Sequence, residues 1–357
     1  ETWSELTAGG ELSLIVYTGA LYDDTMNDYL ELHTLAVRAG VPCITSLDTA
    51  NAMADMLASR YNVHNTELVN LNDMRTERRI LKFAKMHGSG NDYIFFDNRE
   101  PEIFSPESLS VSICDRHYGI GGYGIVLIEK SDVADAKMRI FNRDGSEGQM
   151  AGNSIRCVGK YLYDKNIVRR ETLTIETGTG IKTLRLYIRN GRVSTVSVNM
   201  GRADLDPASL PSTLEGPTVI DRPVMIGGTE YKITCASVGN PHCVVFCDDI
   251  DSLDLEKIGP EFENAEYFPQ RINTEFVRVV SSNTLRMRVF ERGNGETWAC
   301  GTGACAAVIA ATEKNLCKKG VDVTVKLKGG DLIVNYTDDA VILTGDAVMV
   351  YEGSFEF

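Results

Sequence analysis

The residues best suited to chemistry lie in one run, Arg288-Val-Phe-Glu-Arg-Gly-Asn-Gly-Glu-Thr-Trp-Ala-Cys300-Gly-Thr-Gly-Ala-Cys305-Ala-Ala. Its first part reads as a strand, which ends in a Gly-rich turn and delivers Cys300 to the mouth of an Ala-rich helix beginning near Gly301. The first amides of a helix have no intrahelical partner and carry the positive end of its dipole. A thiol at that point has its thiolate form favoured, and a substrate carboxylate can dock beside it. The plainer alternative is a small buried cysteine in a tight turn. Gly301-Thr302-Gly303 keeps the backbone open around the sulfur, which favours the reactive role.

The run occurs twice. Arg139-Ile-Phe-Asn-Arg-Asp-Gly-Ser-Glu147 aligns in register with Arg288-Val-Phe-Glu-Arg-Gly-Asn-Gly-Glu296, at an offset of 149 positions (288 minus 139). The same offset pairs Met138 with Met287, Gly152 with Gly301, and Gly90-Asn91 with Gly239-Asn240. One register held over that span predicts two lobes of one design, with equivalent sites facing each other. It also sets residue 151 opposite Cys300. Residue 151 is alanine, so one cysteine stands where two are expected.

The first expected lobe spans 81–202. It holds a strand–turn–strand over 83–97 with Asn91 at the tip, a Gly-rich bend at 115–124 and a strand over 137–141. A turn over 142–150, a helix over 153–163 and further strands complete it. Pro- and Gly-containing sequence at 203–221 connects the lobes. Residues 222–357 repeat the plan, with the turn Asn240-Pro-His242, Asn273 as the counterpart of Gly124, and a helix over 303–314. Each lobe has one apolar helix among many strands. The predicted class is therefore α+β, two pseudo-symmetric lobes, each a β-sheet wrapped around a central helix. Upstream, residues 1–62 read as a small α/β segment with strands at 12–18 and 41–47 and a helix at 25–39. A second helix, capped by Asp48 or Thr49, runs through Met56. Residues 63–80, polar and charged, read as a linker. The chain opens on Glu1 rather than Met, which reads as a piece of something longer.

Fifty acidic against 36 basic residues in 357 give a net charge of −14, which argues against nucleic acid or an anionic membrane as partner. No apolar run reaches membrane-span length, and no signal-peptide pattern is present. Nine cysteines without CxxC or Cys/His metal spacing read as reduced cytoplasmic thiols. No P-loop or dinucleotide fingerprint is present. His87, His117 and His242 stand singly and read as turn-stabilising residues rather than metal ligands.

Two resemblances rest on these residues. Gly40-Val-Pro-Cys-Ile-Thr-Ser-Leu-Asp-Thr-Ala-Asn-Ala-Met-Ala resembles the second half of the methylglyoxal-synthase-like domain that ends large subunits of carbamoyl phosphate synthetase. That domain's early phosphate-binding segment is missing, and Tyr29-Leu-Glu-Leu-His-Thr stands where basic residues are usual. A docked remnant or truncated fusion partner is thus expected rather than an effector site. Residues 81–357 resemble the diaminopimelate epimerases. The matching motifs in lobe one are Met86-His-Gly-Ser-Gly-Asn-Asp92, Asn142-Arg-Asp-Gly-Ser146, and Gly152-Asn153 with Arg156-Cys157. Those in lobe two are Gly239-Asn-Pro-His242, Phe268-Pro-Gln-Arg-Ile-Asn273, Glu291-Arg-Gly, and Ala299-Cys-Gly-Thr-Gly303. This resemblance implies a cofactor-independent epimerase interconverting LL- and meso-diaminopimelate, a small-molecule substrate. It implies two cysteines flanking the substrate α-carbon, one removing the proton and one returning a proton on the opposite face. It assigns substrate contacts to Asn91, Asn142, Asn240, Asn273, Glu291 and Arg292, and to the backbone at Gly152-Asn153 and Gly301-Thr302. A homodimer is the one protein partner considered.

Ala151 departs from the family, whose other catalytic cysteine belongs there. The surrounding motif is retained, which favours an engineered Cys→Ala substitution over a natural variant. Cys157 cannot stand in, because it lies almost two helical turns further on at about 1.5 Å per residue. Two other readings are a one-base racemase-like dehydratase of the same fold and a non-catalytic amino-acid-binding or regulatory protein. Retention of Glu291-Arg292 and of the asparagines favours the epimerase, inactive as written because Ala151 offers only a methyl group.

Overall fold

The computed structural model describes residues 14–16, 26–44, 49–51, 53–54, 80–148 and 151–356. The chain divides into two units between Arg78 and Arg79. In the first, Ile15–Val16 pairs in parallel with Cys43–Ile44. Helix α1 (Met26–Ala39) lies between them in sequence, as a parallel pair requires a crossover. Ile15, Leu32 and Ala36 form its small core. The expected strand ends at 12–13, 17–18 and 45–47, the Asp48 cap, residues 55–62 and the linker at 63–79 lie outside the described residues. Ile80, read as the end of the linker, begins the first strand of the second unit.

The duplication seen in the sequence is carried into the strand ladder of the second unit. Asn91–Asp97 pairs in parallel with Gly124–Glu129, and Ile94 sits opposite Ile125. In the other lobe Pro241–Phe246 pairs in parallel with Asn273–Ser281, and Cys243 sits opposite Thr274. Both members of each pair are displaced by the same 149 positions. The following antiparallel step repeats as well, with Ile125 opposite Phe141 and Thr274 opposite Phe290. So does the short return strand, with Ile140 opposite Gly148 and Val289 opposite Thr297. A one-residue slip would exchange the buried and exposed faces of each strand, so conserved register preserves the core face in both lobes.

Helix α2 (Pro106–Ile113) packs in the first lobe and α4 (Leu255–Glu263) in the second. The central helices are α3 (Gly152–Asp164) and α5 (Gly301–Glu313), whose limits differ by the same offset. Ala304, Ala306, Ala307, Ala310 and Ala311 give α5 the residues of highest helix propensity. It is buried from Gly301 through Thr312, as an apolar-all-round helix must be. Enclosing Val308 and Ile309 contributes about 1.5–3 kcal/mol each. In α3, Gly159 admits the neighbouring sheet, since a Cβ there would lie 2.8 Å from Leu184 Cδ2. Both helices start slightly earlier than their apolar patterns suggest, because the glycines behind residues 151 and 300 already turn helically.

The strands of the second unit close on themselves. Val348–Glu356, from the end of the second lobe's sequence, pairs with Ile80–Gly88 of the first. Val341–Asp346 pairs with Arg192–Asn199, setting Leu343 opposite Val198. These two crossings join the lobes and carry Asp346 to the edge of α3.

Candidate active site

The N-termini of α3 and α5 meet head to head. A Cβ on Gly301 would come within 3.4 Å of Gly152 Cα, and one on Gly152 within 3.6 Å of Gly301 Cα. The tightest neighbour of either Cβ would be Leu343 Cδ2, at 3.0 Å from each. Immediately before each glycine stands the N-cap residue, Ala151 and Cys300, both in extended backbone (φ −135° and −120°). Residues 151 and 300 are thus the N-caps of two helices whose first glycines adjoin, where both dipoles present their positive ends.

Cys300 Sγ accepts from the Gly303 amide at 3.4 Å and lies 3.4 Å from the Thr302 hydroxyl. The helix terminus was expected to favour the thiolate. In the buried site it does not prevail: burial first, then the charges of Glu291 and Glu275, push the Cys300 thiol well above its usual range. Those effects outweigh the roughly half-charge of a helix end. Burial likewise pushes the Glu291 carboxyl up, although the Thr297 hydroxyl donates to it. Alkylation tracks the thiolate, so labelling of Cys300 in the unliganded chain should reach half its limiting rate above about pH 8.5, the ordinary thiol value. Peptide mapping after iodoacetamide pulses across pH would reveal this. A midpoint at or below the ordinary value would show that the helix terminus dominates instead.

The asparagines divide into two groups. Asn142, Asn240 and Arg292 line a cleft of about 690 Å³ between the lobes, with Gly239, Pro241 and Gln270. Asn91, Asn153 and Asn273 lie deeper, each under a tenth exposed. The left-handed pair Ser89–Gly90 makes the tight turn that delivers Asn91. The Asn91 and Asn153 side-chain amides both donate to the Ala299 carbonyl, at 3.2 and 3.0 Å, tying lobe one to the turn before Cys300. Asn273 donates to the Pro241 carbonyl at 2.9 Å and accepts from the Arg292 amide at 3.0 Å. Asn142 donates to the Ser146 hydroxyl at 3.0 Å. The buried carbonyl oxygens Asn91 Oδ1 and Asn240 Oδ1 have no protein partner, so each retains an acceptor for a ligand.

Two residues stand beside Cys300 that the sequence did not assign to the site. His242, read there as a turn-stabilising residue, is wholly buried and bonds Glu275 Oε1 through Nδ1 at 2.7 Å. One donor atom from each of His242, Glu275 and Cys300 falls within a 4.8 Å cluster. Such a donor set suits a zinc-class ion, yet the 2.7 Å spacing is that of a shared proton. Two ligands on one tetrahedral zinc, each at about 2.0–2.1 Å, stand further apart than that. His87 does stabilise a turn, accepting from the Gly90 amide at 3.3 Å.

A family model described as diaminopimelate epimerase matches residues 83–205 and 234–350. A diaminopimelate epimerase of Methanococcus maripaludis is 49% identical over 278 residues, covering 77% of this chain and 100% of that protein. One of Agathobacter rectalis is 46% identical over 285 residues, covering 77% and 99% respectively. The solved structure of a probable proline racemase from Agrobacterium radiobacter K84 has a TM-score of 0.61 at 15% identity, over 78% of this chain and 93% of that one. A phenazine biosynthesis protein of the PhzF family from Bacillus anthracis follows at 0.57 and 16%, over 78% and 100%. At such identities these two speak to the fold alone. The length and identity of the curated matches place the chain in the diaminopimelate epimerase family.

Proposed function

We propose that the chain binds diaminopimelate between its lobes and is built to interconvert the LL and meso forms by two opposed bases, one of which Ala151 removes. The observation that supports this reading is the close approach of Gly152 to Gly301, the residues that follow positions 151 and 300. An amino-acid α-proton is very weakly acidic, so a carbanion formed without a cofactor must be held by electrostatics. The free amides of α3 and α5 converge where an α-carboxylate would sit, in a buried site where fixed dipoles act strongly. Cys300 attends one face of the α-carbon. A cysteine at 151 would attend the other, each acting as base in one direction and acid in the reverse. Arg292 and the acceptors Asn91 Oδ1 and Asn240 Oδ1 suit a substrate with an amino-acid group at each end.

Titration calorimetry of the chain with meso-diaminopimelate should show saturable binding, while a coupled assay finds negligible inversion. Absence of binding in the folded chain would overturn the substrate assignment. The same reading assigns the chain to the cytoplasm, supported by nine unpaired cysteines. Among the described residues no helix is long and apolar enough to cross a membrane. The first unit is read as a remnant of a methylglyoxal-synthase-like domain, supported by its parallel pair and connecting helix.

A further inference from the structure

We propose that Glu275 is a positioning residue for the Cys300 half of the reaction, holding His242 by Nδ1 so that Nε2 exchanges the thiol proton. The inference rests on the reading of Cys300 as a base. His242 and Glu275 sit on neighbouring parallel strands, in a ladder that sets His242 opposite Asn273 and Val244 opposite Glu275. Both side chains are fully excluded from solvent, and their bond is 2.7 Å. In this assignment Glu275 Oε1 accepts, Nδ1 carries the proton and the lone pair belongs to Nε2. Nε2 has no other protein partner, although it is buried.

The helix that carries Cys300 is shaped around this carboxylate. A Cβ on Gly303 would lie 2.5 Å from Glu275 Oε1. Glycine there does two things: its amide donates to Cys300 Sγ, and its missing side chain leaves room for Glu275. The repeat also breaks at this pair. At the offset of 149, the lobe-one counterparts of His242 and Glu275 are Tyr93 and Val126, so the device serves Cys300 and not residue 151. In the step itself, the S–H bond breaks toward Nε2 and leaves a thiolate beside an imidazolium. The thiolate then takes the substrate α-proton. Protons and electron pairs stay within the site, and no co-reactant is needed.

The proton on Nδ1 can be observed without substrate. Proton NMR of the chain as it stands should show one strongly deshielded imidazole N–H, absent from His242→Gln and moved upfield in Glu275→Gln. In the Ala151→Cys background, Glu275→Gln should lower kcat about tenfold or more in both directions while KM stays within about twofold. His242→Gln should do the same, and the double variant should be no slower than the slower single one. A deshielded signal unchanged in Glu275→Gln, a kcat within about twofold of the parent, or losses that multiply in the double variant would each overturn the proposal. If Ala151→Cys itself fails to epimerise, the functional reading falls while the NMR result still decides the role of Glu275. Should Glu275→Gln not fold, Gly303→Ala, which drives a methyl group onto Oε1, supplies the same comparison.

Discussion

Ala151→Cys should raise epimerisation of diaminopimelate by about 10³-fold or more over the chain as it stands, because it restores one of two coupled proton-transfer groups. Inversion needs a base on one face and an acid on the other. Ala151 is an extended N-cap in the same setting as Cys300, so a thiol introduced there sits at the mouth of α3 as Cys300 sits at that of α5. Ala151 is half-buried and packs against the main core. Replacing Cys300 by alanine in the restored enzyme should return it to the starting rate, since neither thiol inverts the centre alone. A revertant no faster than its parent would remove residue 151 from the chemistry.

Arg156→Met should destabilise the second unit by about 3–5 kcal/mol, the cost of taking the donor from several buried acceptors. Arg156 is 0% exposed. It donates to the carbonyls of Asp346 at 3.0 Å and Gly152 at 2.9 Å, and to Asn153 Oδ1 at 3.0 Å. Thus one guanidinium ties the first turn of α3 to the strand that crosses between lobes. Gly88 and Gly345 make room for it, since Cβ atoms there would lie 2.8 Å from Nη2 and 3.0 Å from Cζ. Burial pushes its pKa down, which marks the expense of enclosing this charge. Methionine keeps much of the volume but removes all three donated hydrogen bonds. Urea denaturation would measure the loss, and a change within about 1 kcal/mol would mean that water replaces the guanidinium without penalty.

The lobes and their central helices were legible in sequence because the repeat preserves turn chemistry along with register. Gly90-Asn91 and Gly239-Asn240, and the glycines after residues 151 and 300, recur at one spacing, and the ladder repeats to the residue. What stayed hidden depends on partners distant in sequence. Glu275 lies in Asn-Thr-Glu-Phe-Val-Arg, where a glutamate ordinarily marks a solvent face. It is buried because His242, 33 positions away, satisfies one oxygen. The break in the repeat at Tyr93 and Val126 was the available signal. The protonation of Cys300 was misjudged for a related reason: the helix start is visible in sequence, but the burial and the two carboxylates opposing the thiolate are not. Asn91, read as a substrate contact, has its side-chain amide held by the Ala299 carbonyl, 208 positions away, while its Oδ1 has no protein partner.

The decisive measurement is solvent-deuterium incorporation at the α-carbon, followed by mass spectrometry for each stereoisomer supplied separately to the chain as it stands. Cys300 acting alone on one face should wash deuterium into one isomer and yield negligible inverted product. Inverted product appearing at a rate comparable to that of the Ala151→Cys enzyme would contradict the two-base arrangement.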